Sequence, residues 1–357
     1  MHSIVHMILF LVVFQSVYAA MHFYVFARTA VLLGFPRNSM FYVLFSISTL
    51  SFIIAHVLMG ISDNLVTRII FFAAAVWMGI IFIALSLLIA YELFRFIIPV
   101  QPRYAGVSVI ALTIGLSVYA CVHSTTTRLK PITIKTSKID EPVTVMYLSD
   151  LHLGSPRWRP AIKPFLRAVA EYAPDFICIN GDLIDSPFPV DKALLKQFAS
   201  IDIPILVTTG NHEHYYGIER VKKLLDSTGM RLLINETLVL NALQVIGIDD
   251  SDHPSQLEQA LSNIIIDDQR FTLLLYHRPQ GIDAAVQNNI DLMVAGHVHN
   301  GQIFPFNLLV RIFYNPIKGL HKRGSTHIYV SPGSGTWGPP MRLGSTNEIT
   351  IFHILPV

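Results

Sequence analysis

The chain has 357 residues, of which 52% are hydrophobic and only 14% charged, with a net charge of +2. That length accommodates two ordinary domains, and the near-balanced charge gives no ground, by field alone, for a nucleic-acid partner. Two isolated cysteines, Cys121 and Cys178, make neither a disulfide framework nor a zinc knuckle and read as small buried residues. The charge deficit sits at the front: between Met1 and His123 the only formal charges are Arg28, Arg37, Asp63, Arg68, Glu92, Arg95 and Arg103. A helix needs about 20 apolar residues to cross a bilayer core. Residues 4–26, 40–59, 69–90 and 104–122 meet that need, and core helices rarely run so long without a polar face. An all-α bundle of four transmembrane spans is expected over residues 1–123. Val17-Tyr-Ala19 has the small-residue spacing of a signal-peptidase site, but no positively charged leader precedes it, so an uncleaved first span is expected. His22, His56 and Glu92 do not form a dense ion path, and the bundle reads as an anchor. Arg28, Arg37, Arg95 and Arg103 fall to the first and third loops, which places those loops in the cytoplasm and the remainder of the chain outside it. Arg128, Lys130 and Lys135 pull the other way.

Residues 124–142 read as a linker and first strand, with alternation from 130 to 138. From 143 onward short apolar strands alternate with amphipathic helices. Strands are expected at 143–148, 176–179, 203–208, 231–233, 237–248, 271–276, 290–294, 326–330 and 348–354. Helices are expected at 159–172, 192–200, 217–227 and 255–263. Five of the strands run into a polar cluster. The clusters are Asp150-Leu-His152, Gly181-Asp182, Gly210-Asn211-His212-Glu213, His277 and Gly296-His297-Val-His299. In open α/β sheets, sites collect at the carboxyl ends of strands. That rule gathers Asp150, Asp182, Asn211, His277 and His297 on one edge although they are far apart in sequence.

These are oxygen and imidazole ligands, with no cysteine. They suit two divalent ions such as Mn, Fe, Zn or Ni. Two such ions about 3.5–4 Å apart can clamp a phosphoryl group and activate water at neutral pH. Like charges that close need an anionic bridge, and Asp182 is the candidate, with Gly181 letting the backbone pass near the ions. On an extended segment His297 and His299 would share a face; where the chain turns, the two rings can serve different ions.

In this order and combination the motifs resemble the calcineurin-like metallophosphoesterase superfamily, whose blocks are D-x-H, G-D, G-N-H-[ED], H and G-H-x-H. The resemblance covers residues 143–357. Residues 296–302 and the tail Ser331-Pro-Gly-Ser-Gly-Thr336 with Pro340-Met-Arg342 are similar to its bacterial membrane-anchored branch. It implies a four-layer α-β-β-α sandwich, and an integral protein of a bacterial cell membrane. It implies Asp150, His152 and His299 on one metal, Asn211, His277 and His297 on the second, and Asp182 bridging. His212 would be the catalytic residue, stabilising charge and protonating the leaving oxygen. Glu213 is expected to orient His212, and Asp185 to stand behind the ligands. Arg278, Trp337 and Arg342 are candidate substrate contacts, whereas His214 reads as a loop histidine. Two departures from the family pattern matter. The arginine that phosphoprotein phosphatases carry after the G-D block is missing from Leu183-Ile-Asp-Ser-Pro187, which argues against that branch, and Asn300 stands where many relatives have glycine.

The expected function is membrane-anchored, metal-dependent hydrolysis of a phosphate ester or pyrophosphate, with a lipid-linked substrate suggested by the anchor. One alternative is a UDP-2,3-diacylglucosamine-type pyrophosphatase of lipid A synthesis, which the resemblance brings in and which would act on the cytoplasmic face. Another is a non-catalytic membrane receptor or scaffold with a retired phosphoesterase domain, against which the complete ligand set argues. A transporter with a regulatory phosphoesterase domain is the third. Substrate, metal identity and oligomeric state are not legible.

Overall fold

The computed structural model describes residues 2–154, 162–185, 190, 195, 197–198 and 200–357. The expected helix at 192–200 and the start of the one at 159 lie largely outside them. The chain divides into two compact units, residues 1–122 with 338–341, and residues 123–337 with 342–357.

The first unit contains four long helices: α1 (His2–Leu33), α2 (Ser39–Ile61), α3 (Leu65–Phe94) and α4 (Pro102–His123). All four are long and apolar enough to cross a membrane. Asn38 and Asn64 cap the starts of α2 and α3 by accepting backbone N–H groups with their side chains. Helix α1 contains the whole expected first span, 4–26, and runs on to Leu33. Arg28 therefore belongs to α1 rather than to a loop. A charge at that depth is tolerated because Arg28 pairs with Glu92 of α3, which Arg95 also approaches at 2.9 Å, so that one carboxylate serves two guanidiniums. His22 is fully buried and accepts the Trp77 indole N–H at 3.0 Å, which makes it a helix-packing residue.

The second unit is built on two mixed six-stranded sheets. The first has the order β1-β12-β2-β3-β4-β5, from β1 (Thr127–Thr136), β2 (Val143–Leu148), β3 (Phe176–Asn180), β4 (Ile205–Thr208), β5 (Arg231–Leu233) and β12 (Asn347–Pro356). The second has the order β10-β11-β9-β8-β7-β6, from β6 (Glu236–Leu240), β7 (Leu243–Gly247), β8 (Phe271–Leu275), β9 (Leu292–Ala295), β10 (Gly319–Arg323) and β11 (Thr326–Val330). Successive strand residues point to opposite faces, and here both faces are buried. On β2, Val145 and Tyr147 pack inward with Val245, Leu275 and Val294 of the other sheet. Met146 and Leu148 face outward onto Phe165 and Ala168 of α5 (Ile162–Tyr172). On the second sheet Ile246, Leu274 and Met293 face outward onto Leu257 and Ala285 of its own helices. The layers run helix, sheet, sheet, helix.

The strand expected at 237–248 is two strands, β6 and β7, joined through Asn241, whose φ of +51° makes the turn. The helix expected at 217–227 is preceded by a separate one. α6 (Asn211–Tyr216) and α7 (Ile218–Asp226) meet at Gly217, whose φ of +100° breaks the run. Helices α8 (Gln256–Leu261), α9 (Ile282–Gln287) and α10 (Phe306–Phe313) complete the described set; the last two, and β10, gave no clear signal in the sequence.

Candidate metal centre

Three parallel neighbours of the first sheet, β2, β3 and β4, deliver Asp150, Asp182 and Asn211 just past their carboxyl ends. Two parallel neighbours of the second sheet, β8 and β9, deliver His277 and His297 in the same way. Backbone bonds lock the loops together: Asp150 N–H donates to Gly181 O at 3.1 Å, His152 N–H to Asp182 O at 2.9 Å, and Gly296 N–H to His277 O at 2.8 Å. Asp150, His152, Asp182, His297 and His299 all hold left-handed backbones, with φ of +54°, +49°, +50°, +67° and +48°. Such strain in non-glycine residues persists only where the surroundings over-determine it, and it collects at functional sites. Gly181 shares that conformation, at +73°, and a Cβ there would collide with the His277 ring.

Among the described residues the side chains converge as three groups, of which one, His152, Asp185 and His212, overlaps another through His152; the other two hold the expected ligands. Asp150, His152 and His299 form one and Asp182, His277 and His297 the other; in each, one ligand atom per residue lies within 4.8 Å of the rest. His152 Nε2 and His299 Nε2 stand 3.2 Å apart, and Asp150 Oδ1 is 3.5 Å from the latter. Asp182 Oδ1 accepts the His212 backbone N–H at 3.0 Å. Its other oxygen faces both groups, 3.3 Å from His277 Nε2 and 3.8 Å from His152 Nε2. The turn after Gly296 separates the two histidines of the H-x-H block: His299 joins His152, while His297 packs edge-on to His277 at 5.2 Å.

The chemistry of this donor set fits cations. His277 Nδ1–H donates to Asn180 O at 2.9 Å, which turns Nε2 toward the Asp182 carboxylate; metal-bound histidines are oriented by such a bond from their other nitrogen. His277 Nε2 and Asn211 Oδ1 are buried without a well-formed hydrogen bond, a costly state for isolated polar atoms. Burial alone would lower the His277 pKa, but the Asp182 and Asp150 charges overcome it and push it up to about 10. The carboxylates thus demand positive charge at this point. Burial and the charge of His277 lower His297 to about 3, and burial with Arg342 holds His299 well below the ordinary range. Both are neutral imidazoles, the ligand form. Asp182 stays ionised despite its burial because His277, His212 and His152 surround it.

His212 lies beside the first group, its ring 4.7 Å from that of His152. Its partner is not Glu213. Asp185 Oδ1 stands 3.4 Å from His212 Nδ1, whereas the Glu213 carboxylate turns inward. It accepts the backbone N–H groups of Gly210 at 2.7 Å, Asp182 at 2.8 Å and Ile184 at 3.0 Å, and so joins two ligand loops. Trp337 is 53% exposed and its ring stands edge-on to that of His212 at 6.3 Å.

The structure turns the two arginines away from the role of substrate contact. Arg278 is buried, with Nε and Nη2 donating to Asp250 at 2.8 and 2.9 Å and Nη1 pairing with Asp252 at 2.5 Å. Arg342 is fully buried, donating to His299 O at 2.9 Å, Ser345 Oγ at 2.7 Å and Asn347 Oδ1 at 2.9 Å. Desolvation demanded partners for both guanidiniums, and Arg342 holds the loop that carries His299. His214 pairs with Asp249 at 3.0 Å on a half-open surface. Asn300 takes a φ of +50°, a conformation asparagine tolerates and glycine adopts freely.

Asn180 went unassigned in the sequence. It is fully buried, its side-chain N–H groups reaching Val294 O at 2.9 Å, Tyr276 O at 3.3 Å and Tyr147 Oη at 3.0 Å, while its carbonyl accepts from Thr208 Oγ1 at 2.8 Å. It stitches the two sheets together directly beneath the ligands. The available signal was a lone amide closing the otherwise apolar strand Phe176-Ile-Cys-Ile-Asn180.

The family described as Calcineurin-like phosphoesterase matches residues 143–301. An uncharacterized metallophosphoesterase of Helicobacter pylori is 33% identical over 239 residues, 64% of this chain and 64% of its own length. One from Campylobacter jejuni is 32% identical over 259 residues, 69% of this chain and 68% of its own length. A transmembrane protein with metallophosphoesterase domain from Bos taurus is 34% identical over 230 residues, 58% of this chain and 51% of its own length. The chain belongs to the calcineurin-like metallophosphoesterase family. Its match to the Helicobacter relative spans about two thirds of that protein's length, so the activity of the whole chain is a matter for proposal.

Proposed function

We propose that the chain is a membrane-anchored phosphoesterase that hydrolyses a phosphate ester or pyrophosphate bond with two divalent metal ions. Residues 1–123 serve as the anchor, 124–142 as the link and 143–357 as the catalytic domain. Asp150, His152 and His299 would hold one ion and Asn211, His277 and His297 the other, with Asp182 as the carboxylate shared between them. The supporting observation is the position of Asp182 Oδ2, which faces His277 of one group and His152 of the other. Bound there, the ions supply charge neutralisation for the phosphoryl oxygens and activation of water at neutral pH.

The residues of the chain do the rest. Arg342 and Glu213 fix the ligand loops, so that the centre is organised before substrate arrives. His212 stands at the edge of the first group, where its ring can stabilise charge on the phosphoryl oxygens and protonate the leaving oxygen. Asp185 beside Nδ1 holds that ring and leaves Nε2 for the ester. The substrate is lipid-linked, because a tethered site meets a surface-bound ester at high effective concentration. With Arg28 inside α1, Arg37 of the first loop and Arg95 and Arg103 around the third are the charges that favour the extracytoplasmic side of a cell membrane for the domain.

The test is hydrolysis of an aryl phosphodiester and an aryl phosphomonoester by detergent-purified full-length protein, after chelation and with Mn²⁺ restored. Activity that returns with metal and falls by more than about 100-fold in Asp182→Asn supports the reading, since even residues behind metal ligands are worth about 10–100-fold. Metal-independent activity, or full activity in the variant, contradicts it.

A further inference from the structure

Helix α10, Phe306-Asn-Leu-Leu-Val-Arg-Ile-Phe313, buries none of its residues. Leu308 and Leu309 are each 52% exposed, Ile312 73% and Phe313 76%. Scattered exposed leucines need no explanation, but a contiguous apolar helix face on a folded domain marks a contact surface. Alongside it runs a groove of about 380 Å³, lined by Phe306, Leu309, Val310, Phe313 and Tyr314, with the candidate metal ligand His297 in its wall. That volume falls within the range of about 300–1,000 Å³ typical of small-ligand clefts. Tyr314 packs edge-on against the His297 ring at 5.6 Å, so the apolar groove and the metal centre share a residue.

The stretch of chain that carries the helix is basic in sequence. No Asp or Glu occurs between Asp291 and Glu348, a stretch that carries Arg311, Lys318, Lys322, Arg323 and Arg342. Arg311 on the helix, and Lys318 and Lys322 in the chain that follows it, are exposed. Only residues 124–126 separate α4 from β1, so the domain is tethered to a membrane by its own chain. A helix with an apolar face and basic flanks is suited to an anionic lipid surface.

We propose that the groove beside α10 takes an acyl chain of a membrane lipid and directs the lipid's phosphate past His297 to the metal centre. This names the substrate class of the same site and rests on the hydrolase reading. Arg311, Lys318 and Lys322 meet the anionic headgroup region, and the exposed leucines and phenylalanines lie among the outer parts of the chains.

The experiment is photolabelling of full-length protein in mixed micelles with a phosphatidic acid carrying a diazirine in its acyl chain, mapped by peptide mass spectrometry. It is run in the native protein and in Asp182→Asn, which keeps the probe intact. The groove is perturbed in two ways, by a charge in Leu309→Asp and by an apolar plug in Val310→Trp; the melting temperature and elution volume of each variant confirm folding, and either folded variant suffices. The expected result is label within residues 306–314 in both the native protein and Asp182→Asn, reduced at least fivefold by the groove variants. Competing phosphatidic acids should displace the probe better with each added methylene, by at most about fourfold per group, until the groove is full. Label confined to the spanning helices, or label at 306–314 that neither variant reduces, overturns the proposal. Hydrolysis that fails while this labelling persists counts against the hydrolase reading alone.

Discussion

Removing the Asn180 side chain should unfasten the two sheets beneath the site. In Asn180→Ala the carbonyl of Tyr276 and the hydroxyls of Thr208 and Tyr147 lose a partner at a fully buried position, while Val294 O keeps the Tyr276 N–H at 3.3 Å. A stranded buried polar group costs about 1–3 kcal/mol. With water entering the small space left, three such groups bring the total to about 3–4 kcal/mol. For a domain of this size each kcal/mol lowers Tm by roughly 2–4 °C, so the variant should melt on the order of 6–16 °C below the native protein. The assay is thermal melting of full-length protein in detergent, with Mn²⁺ and after chelation. Asn180→Asp should fare no better, because a carboxylate can accept from Thr208 but cannot donate to the two carbonyls. Mn²⁺ affinity should also weaken, by about tenfold, since the strand ends that carry His277 and His297 lose their tie to the first sheet. Tm within about 2 °C of native for both variants would refute the reasoning.

His212→Ala should lower hydrolysis of an ester with a poor leaving group by about 10²–10⁴-fold, and much less for a nitrophenyl ester, whose leaving oxygen needs no proton; equal losses on both would exclude a proton-donating role. Arg278→Met leaves Asp250 buried without its guanidinium, which should destabilise the domain by about 3–5 kcal/mol, seen as a reduced midpoint in urea; a near-native midpoint would show that Asp252 and Asp250 need no such partner. The hydrogen bond to Asp249 raises the pKa of His214. A raised folded pKa means that its stabilisation is complete below the unfolded value near 6.5 and fades as pH rises through the folded value. The Tm difference between native and His214→Ala should therefore shrink between about pH 6 and pH 9, and a difference that grows with pH would reverse the assignment.

The strands are legible in the sequence where both faces are buried, because runs such as Val143-Thr-Val-Met-Tyr-Leu148 leave few other readings. The same strands end in Asp, Asn or His, and the strand-end rule alone therefore puts residues as distant in the chain as Asp150 and His297 on one edge. The two do meet there: His297 N–H donates to Asp150 Oδ1 at 3.0 Å. What is not legible depends on tertiary desolvation. Arg278 and Arg342 look like phosphate contacts in sequence, yet each is committed to a partner that only the fold brings near. Glu213 follows His212 in the chain but, as the third residue of α6, points back to cap Gly210 and reach Asp182. Helix α10 escapes a sequence reading because it is short and buries none of its residues fully, touching its domain's core only through the half-buried Val310.

The most direct test of the central claim is the metal content of purified full-length protein, measured by elemental mass spectrometry after Mn²⁺ loading and removal of free ion. Two ions per chain are expected, with one lost in His299→Ala and a different one lost in His297→Ala, while the double variant binds neither. A native content of one ion or fewer per chain, or a content that neither substitution changes, would contradict a centre built from two groups around Asp182.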